Sequence, residues 1–217
     1  MADLFLVRHG ETVWHRTNRY AGSSDVELSH RGRRQAATLA RWAAAAGLDA
    51  LWCSELRRAR ETARPCADAS GLELRVDSRL NEVAFGQGEG LTAKEIRQRF
   101  PRAADAFQTD PVAHPLPGGE DPKRATSRAL ASLEEITRAY PQGRVLIVTH
   151  NSLIRLVLCQ MLGIPPAEYR RSFPSMRNCH LNHVRVLPGQ QAALLQLNTP
   201  PLGAWAASGE TAERSGS

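Results

Sequence analysis

The sequence predicts an α/β protein: a mainly parallel central sheet with helices on both faces, a three-layer α/β/α arrangement, and a small inserted cap. Three observations predict it. Short continuous apolar runs alternate with longer stretches of helical periodicity, and strands that alternate with helices build parallel sheets covered on both sides. Two of those runs pass directly into a polar loop that carries a histidine. A stretch rich in Pro, Ala and Asp between them fits neither pattern and reads as the insertion.

Leu4 to Val7 is apolar and ends at Arg8-His9-Gly10, a buried strand running into a functional loop. Ser29 to Ala46 repeats Ala36, Leu39, Ala40 and Ala43 at helical spacing, with Ser29 as cap and Gly47 as stop. Ala50 to Cys53 is a second strand. A helix from Arg57 to Ala69 follows, with Leu56, Ala59, Ala63 and Cys66 on one face and Gly71 closing it. Leu72 to Val76 is a third strand. The cap runs from about Leu91 to Pro117 and carries one short amphipathic helix, around Thr92 to Phe100. Gly119 to Ala139 is helical, and Arg144 to Val148 is the strongest strand signal in the chain. Asn151 to Leu162 is a helix closed by Gly163. His180 to Leu187 and Ala192 to Leu197 alternate weakly and read as late strands. One domain over residues 1–199 is expected, with a Gly/Ser/Ala-rich tail from Pro200 to Ser217.

Composition narrows the function. Of 217 residues 42% are apolar, enough for a core, and the formal net charge is +6. The basic residues are almost all Arg, the only lysines being Lys94 and Lys123, and they are scattered rather than blocked. No nucleic-acid-binding signature is present, so small phosphorylated molecules are the expected anionic partners, not nucleic acid. Cys53, Cys66, Cys159 and Cys179 stand far apart without a C-x-x-C pair, which predicts reduced structural thiols rather than a zinc site. The start has an early acid and too short an apolar run for a signal peptide, and no stretch is long enough to span a membrane; a cytoplasmic protein is expected.

Four local patterns carry the chemistry. Leu6-Val7-Arg8-His9-Gly10-Glu11-Thr12 puts a basic side chain and an imidazole at a strand end beside a permissive glycine, where backbone and side chain both approach an anion. Ser54-Glu55-Leu56-Arg57-Arg58-Ala59-Arg60-Glu61-Thr62-Ala63 puts Arg58 in the first turn of a helix, adding a planar fork of donors to the positive dipole end. The Gly-rich loop after Leu80 contains Glu82, a candidate general acid whose partly apolar neighbours Val83 and Phe85 would favour its protonated form. Val145 to Val148 leads through Thr149 to His150, Asn151 and Ser152, a histidine at the amino end of a helix. Because ligands bind beyond the carboxyl ends of parallel strands, His9 and His150 are expected to meet.

Together these patterns resemble the histidine phosphatase superfamily, also called the phosphoglycerate-mutase-like family, over about residues 3 to 187. The resemblance implies that His9 is the nucleophile, that Arg8, Arg58 and His150 hold phosphate oxygens, and that Glu82 protonates the leaving alcohol and then deprotonates water. It implies a further donor in the amide of Asn151, substrate contacts from His15, Ala21 and Gly22, no metal and no cofactor. A phosphate dianion repels nucleophiles, and two guanidiniums with a cationic His150 would offset that charge while keeping His9 neutral.

The chain departs from the family pattern at three places. His15 stands where many members have a phosphate-contacting Asn, Gly88 where Gly-x-Trp-Glu-Gly has its Trp, and Asn151 where many have Gly. The second change predicts a wider or more mobile pocket. The segments Val83-Ala84-Phe85-Gly86 and Gly90-Leu91-Thr92-Ala93 lack the basic groups that would hold a bisphosphate primer, so a phosphomonoester phosphatase is ranked above a cofactor-dependent phosphoglycerate mutase. A non-catalytic phosphate-binding module is the third reading; it ranks last because His9 and Glu82 are both present. Specificity is assigned to about Leu91 to Glu120 with His15, Arg19 and Phe85. Monomer and homodimer both stay open.

Overall fold

In the computed structural model, which describes residues 1–186 and 191–201, four parallel strands form one side of a six-stranded sheet and two antiparallel strands complete it. The strands are β1 (Ala2–Arg8), β2 (Ala50–Cys53), β3 (Leu74–Val76), β4 (Arg144–Thr149), β5 (Leu181–Val186) and β6 (Ala193–Thr199), in spatial order β3-β2-β4-β1-β5-β6. β1 lies between β4, parallel, and β5, antiparallel.

The helices are α1 (His30–Ala45), α2 (Arg57–Ser70), α3 (Ala93–Arg99), α4 (Pro101–Thr109), α5 (Pro122–Ala139), α6 (Asn151–Leu162) and α7 (Tyr169–Ser172). Strand side chains alternate between faces, and the core divides accordingly. Phe5, Val7, Leu51, Cys53, Leu146 and Val148 pack under α1 and α2, against Leu39, Trp42, Ala59 and Ala63. Leu4, Leu6, Ala50, Val145 and Ile147 pack under α5 and α6, against Ala129, Leu133, Leu153 and Val157. This is the expected three-layer order. The four cysteines are buried and unbonded. Among the described residues no helix is long and apolar enough to cross a membrane.

The structure corrects the elements at several edges. The cap has two helices rather than one, because Pro101 starts α4 instead of ending α3; at a first helical position proline gives up an N–H that had no partner anyway. α5 begins at Pro122, three residues past the expected start, where the Asp121 carboxylate accepts from Lys123 N. The cap has its own small core of Ile96, Ala104, Phe107 and Leu116. Leu116 and Ile96 also occupy the space that a side chain at position 88 would take, so the glycine there does not widen the pocket. The tail expected from residue 200 lies outside the described residues apart from Pro200 and Pro201, as does residue 187 at the end of the expected fifth strand.

Two features of the fold position the site. The first is register: Leu4 pairs with Val145, Leu6 with Ile147 and Arg8 with Thr149, so β1 and β4 end level and His9 emerges beside His150. The second is a close approach of backbones. The first turn of α1 lies against the loop after β1, and a Cβ on Gly10 would stand 2.7 Å from the carbonyl oxygen of Gly32, while one on Gly32 would run into the carbonyl of Glu11. Neither neighbour is a side chain that could swing away. Gly32→Ala is therefore expected to lower stability by about 1–3 kcal/mol, the usual range for overpacking a rigid site, read as a lower midpoint in denaturant. An unchanged midpoint would show that the loop carrying His9 yields freely.

Candidate active site

At the carboxyl edge of the parallel strands is a cavity of about 520 Å³ lined by Arg8, His9, His15, Ala21, Gly22, Arg58, Glu82 and Asn151, among others. Eight of the nine expected site residues thus share one pocket. The ninth, His150, is fully buried directly behind it, its ring centroid 5.2 Å from that of His9.

His9 is held in a single tautomer. Its Nδ1 lies 2.7 Å from its neighbour's carbonyl, Gly10 O, and must donate to it; Nε2 therefore carries the lone pair. Burial, then the positive charges of Arg58 and Arg8, push its pKa well below the ordinary value of 6.5, so the ring is neutral. The main chain around it is fixed by His9 N donating to Thr149 O at 3.0 Å, Asn178 Nδ2 donating to His9 O at 2.7 Å and Gly10 N donating to Thr62 Oγ1 at 2.9 Å.

Arg58, only 1% exposed, sits in the first turn of α2. It donates from Nη1 to Ser24 O at 2.7 Å, from Nη2 to Gly22 O at 2.6 Å and from Nε to His150 Nδ1 at 3.2 Å. A guanidinium has five N–H groups, so two remain for a ligand. Arg8 donates from Nη1 to Met176 O at 2.7 Å and contacts His15 Nε2 through Nη2 at 2.6 Å, while its Nε is sealed from solvent with no acceptor. Burial brings the Arg8 pKa down to about 10, which leaves it protonated near neutrality. Neither guanidinium has a carboxylate salt bridge among the described residues. Their charge is left for something in the pocket.

His150 departs from the expected cationic role. Its Nδ1 accepts from Arg58, and its Nε2 donates at 2.8 Å to Ser54 Oγ, which passes its own proton to Asn81 Oδ1 at 2.7 Å. Burial and the charges of Arg58 and Arg8 push its pKa well below 6.5. It is neutral and orients Arg58, so the positive charge comes from guanidiniums alone.

His15 neighbours Arg8 and Thr12. Arg8 Nη2 has only hydrogens to offer, so Nε2 carries the lone pair and Nδ1–H donates to Thr12 Oγ1 at 2.8 Å. The opposite proton placement would suit Thr12 N, 3.0 Å from the same Nδ1, but it would set an N–H against the guanidinium. Burial and Arg8 pull the His15 pKa down to about 4.

Glu82 meets backbone donors rather than the apolar surroundings expected of it. Its Oε2 accepts from Ser152 N and its Oε1 from Leu153 N and from its own neighbour Val83 N, each at 3.0 Å. The carboxyl thus caps the amino end of α6, and Arg128 fixes its backbone by donating to Arg79 O, Asn81 O and Glu82 O. Asn151, the first residue of α6, lines the pocket beside it.

The sequence reading missed Arg155 and Arg170, both in the pocket lining. Arg155 is the only charged residue in α6, a signal that was available. Arg170 lies within the short α7 and had none. The extra basic groups that the loop segments lacked are therefore supplied from elsewhere in the chain. The assigned specificity region contributes Arg19, Phe85, Ala93 and Gln108 to the lining.

This fold and pocket define a class: α/β proteins that present a neutral histidine and unpaired guanidiniums to an anion at the carboxyl ends of parallel strands. The chain belongs to the histidine phosphatase superfamily (branch 1), whose family model matches residues 4–199. It is 31% identical over 169 residues to phosphoserine phosphatase 1 of Hydrogenobacter thermophilus, covering 78% of this chain and 80% of that one. It is 33% identical over 185 residues to the probable phosphoglycerate mutase GpmB of Escherichia coli O1:K1 / APEC, covering 85% of each. Among solved structures, Bacillus stearothermophilus YhfR superposes with a TM-score of 0.85 at 30% identity, covering 92% of this chain and 98% of the other. The mycobacterial glucosyl-3-phosphoglycerate phosphatase with VO3 superposes with a TM-score of 0.83 at 28% identity, covering 91% and 99%. The protein is a phosphatase-type enzyme of this superfamily.

The depressed pKa values give a stability prediction with a definite sign. The unfolded chain binds protons to these histidines near 6.5, the fold only at lower pH, about 4 for His15. Stability is fully present above the unfolded value, and unfolding takes up protons as pH falls below it, so stability declines on acidification through that window. Thermal midpoints from pH 7 to 4 should fall less steeply in His15→Asn than in wild type. Equal slopes would remove His15 from that account.

Proposed function

We propose that the enzyme hydrolyses phosphate monoesters of small metabolites through a phosphohistidine on His9, without a metal. The observation that carries this is the geometry around His9: a lone pair on Nε2, facing a pocket where Arg8 and Arg58 retain N–H groups without protein acceptors. A phosphoryl group placed there would accept from the Arg58 N–H groups that have no protein acceptor, in charge-assisted bonds. In-line attack by His9 Nε2 on phosphorus breaks the ester P–O bond. Glu82, the only carboxylic acid in the pocket lining, gives its proton to the departing alkoxide and takes one from the water that later frees phosphate. Two guanidiniums supply the charge compensation that a metal gives elsewhere.

Hydrolysis ranks above phosphoryl transfer between positions of one metabolite because the cap lines the cavity with only Ala93 and Gln108, leaving the way to His9 open to water. The second reading, a phosphoglycerate mutase, is favoured by Arg155 and Arg170, which could hold a second phosphate. Supplying 3-phosphoglycerate with a trace of 2,3-bisphosphoglycerate separates the two. Phosphate release with little 2-phosphoglycerate supports the phosphatase; rapid isomerisation supports the mutase.

The mechanism has a sharper test at Glu82. General acid catalysis is typically worth about 10²–10⁴-fold for a poor leaving group, whereas p-nitrophenolate leaves unaided. Glu82→Gln should cripple alkyl phosphate hydrolysis yet release close to one equivalent of nitrophenol from p-nitrophenyl phosphate before slow turnover, with an acid-labile, base-stable label on His9. His9→Ala should abolish both turnover and label. Chelator should leave wild-type rates within about a factor of two, since no step calls on a metal. A label found on Ser or Asp, or activity restored to chelated enzyme by Mg²⁺, would overturn the mechanism.

A further inference from the structure

We infer that Arg128 is a positioning residue for the general acid: from outside the cavity it grips the Glu82 carbonyl, which aims the Glu82–Val83 peptide and with it the carboxyl, and Glu120 ties that grip to the cap. The inference rests on the phosphatase reading above, with Glu82 as the acid, and adds to it the residue that holds the acid in place.

Arg128 stands on α5 with a saturated guanidinium. Its Nε donates to Glu120 Oε1 at 2.8 Å, its Nη1 to Arg79 O and Asn81 O at 2.7 Å each, and its Nη2 to Glu82 O at 3.1 Å and Glu120 Oε2 at 2.8 Å. A guanidinium has five N–H groups, and all five have acceptors here. Arg8 and Arg58 keep hydrogens for a ligand. Arg128 keeps none and does not line the cavity, so it acts on the protein instead. Three of its acceptors are carbonyls within the four residues that end at Glu82.

Of these the Glu82 carbonyl has a chemical consequence. A trans peptide is planar, with its C=O and the following N–H on opposite sides. Arg128 draws Glu82 O to one side, so Val83 N–H points to the other, where it donates to Glu82 Oε1 at 3.0 Å. That bond and those from Ser152 N and Leu153 N hold the carboxyl at the cavity. The two α6 amides are fixed by their helix; the Val83 amide is fixed through Arg128. Without the guanidinium the peptide plane can turn, and the Glu82 side chain turns with it.

The phosphate side of the site is held independently. Asn81 Oδ1 accepts from Ser54 Oγ at 2.7 Å and from Glu55 N at 3.2 Å, and its Nδ2 donates to Glu55 Oε1 at 2.6 Å. The chain that sets the His150 tautomer, and through it Arg58, therefore has anchors of its own. Glu120, just past the cap, completes the grip on the acid. Its oxygens take Arg128 Nε and Nη2, its N–H donates to Ala84 O at 2.9 Å, and three residues earlier Pro117 O accepts from Gln87 N at 2.9 Å. The loop after Glu82 is thus held between α5 and the end of the cap.

The test compares kcat/KM for β-glycerol phosphate and p-nitrophenyl phosphate, a ratio that reports on the first phosphoryl transfer. The alkoxide needs the Glu82 proton in order to leave, and p-nitrophenolate does not. Misplacing a reacting group by about 1 Å costs about 10²-fold. Arg128→Met, which keeps the apolar stem, should therefore lower kcat/KM about tenfold to a hundredfold for the alkyl ester and less than about threefold for p-nitrophenyl phosphate. Glu120→Gln, which leaves Arg128 its three carbonyls, should show the same selectivity at severalfold, and it decides the matter if Arg128→Met does not fold. In a Glu82→Gln background, Arg128→Met should change the alkyl rate by less than about threefold more, because changes that act through one group do not add. An alkyl rate unchanged in both variants, equal losses on both esters, or full additivity with Glu82→Gln overturns the inference and leaves the phosphatase reading standing. Wild type that releases phosphate from neither ester overturns the phosphatase reading itself, and Glu82→Gln that slows both equally overturns the role of Glu82.

Discussion

The structure depends on one constraint: Arg58 is buried at the carboxyl edge of the sheet, 1% exposed, with no salt bridge among the described residues. Burying such a charge is expensive; the groups that touch it are dipoles, and the carboxylates of Glu82, Asp25 and Glu89 favour its charged form from farther away. The carbonyls of Gly22 and Ser24 turn toward it, and His150 offers a lone pair. To hold those carbonyls, the loop over residues 21–24 is tied back by the Glu89 carboxylate, which accepts from Ser23 N, Ser24 Oγ and Phe85 N. To hold His150 in the right tautomer, Ser54 and Asn81 continue the hydrogen-bond chain. Neutral partners have a consequence that a salt bridge would lack. They fix the guanidinium without quenching its field, so the field remains in the pocket.

That field adds to burial in keeping three histidines neutral. His9, His15 and His150 all have lowered pKa values, and burial is the largest cause in each, with arginine charge adding to it. Neutral imidazoles are ambidextrous, and the neighbours choose between their two nitrogens. Gly10 O draws the proton of His9 to Nδ1, Arg8 Nη2 demands a lone pair at His15 Nε2, and Arg58 Nε demands one at His150 Nδ1. Three neighbouring rings therefore divide into two roles. One presents a lone pair to the cavity, and the other two present theirs to the guanidiniums and thereby aim them.

How much of this was legible in the sequence follows from how local each signal is. The strand ends carrying Arg8, His9 and His150 could be read because a continuous apolar run and the polar residue after it are adjacent in sequence. The first-turn position of Arg58 could be read because Gly71 and the apolar face over Ala59, Ala63 and Cys66 define the helix. The second cap helix was lost because a proline is a stop in one context and a start in another, and only the packing of Ala104 and Phe107 on Ile96 and Leu116 decides between them. The effect of Gly88 was misread for the same reason: Leu116, distant in sequence, fills the space. The charge of His150 was misread because Ser54 and Arg58 occupy its two nitrogens from another strand–helix junction. Arg155 was the one miss with a local signal, a lone charge in an apolar helix.

The amino end of α6 explains why Glu82 and Arg155 must be considered together. A helix start exposes N–H groups and partial positive charge, a natural seat for an anion. Here the seat at Ser152 and Leu153 is already filled by Glu82, so the helix end does not bind the substrate through those two amides. Instead it holds the Glu82 carboxyl at the edge of the cavity, while the helix carries Arg155 about one turn further on. One rigid element therefore sets both a carboxyl, through its first amides, and a guanidinium, through its own side chain, in the lining of the same cavity, and neither can shift without the helix.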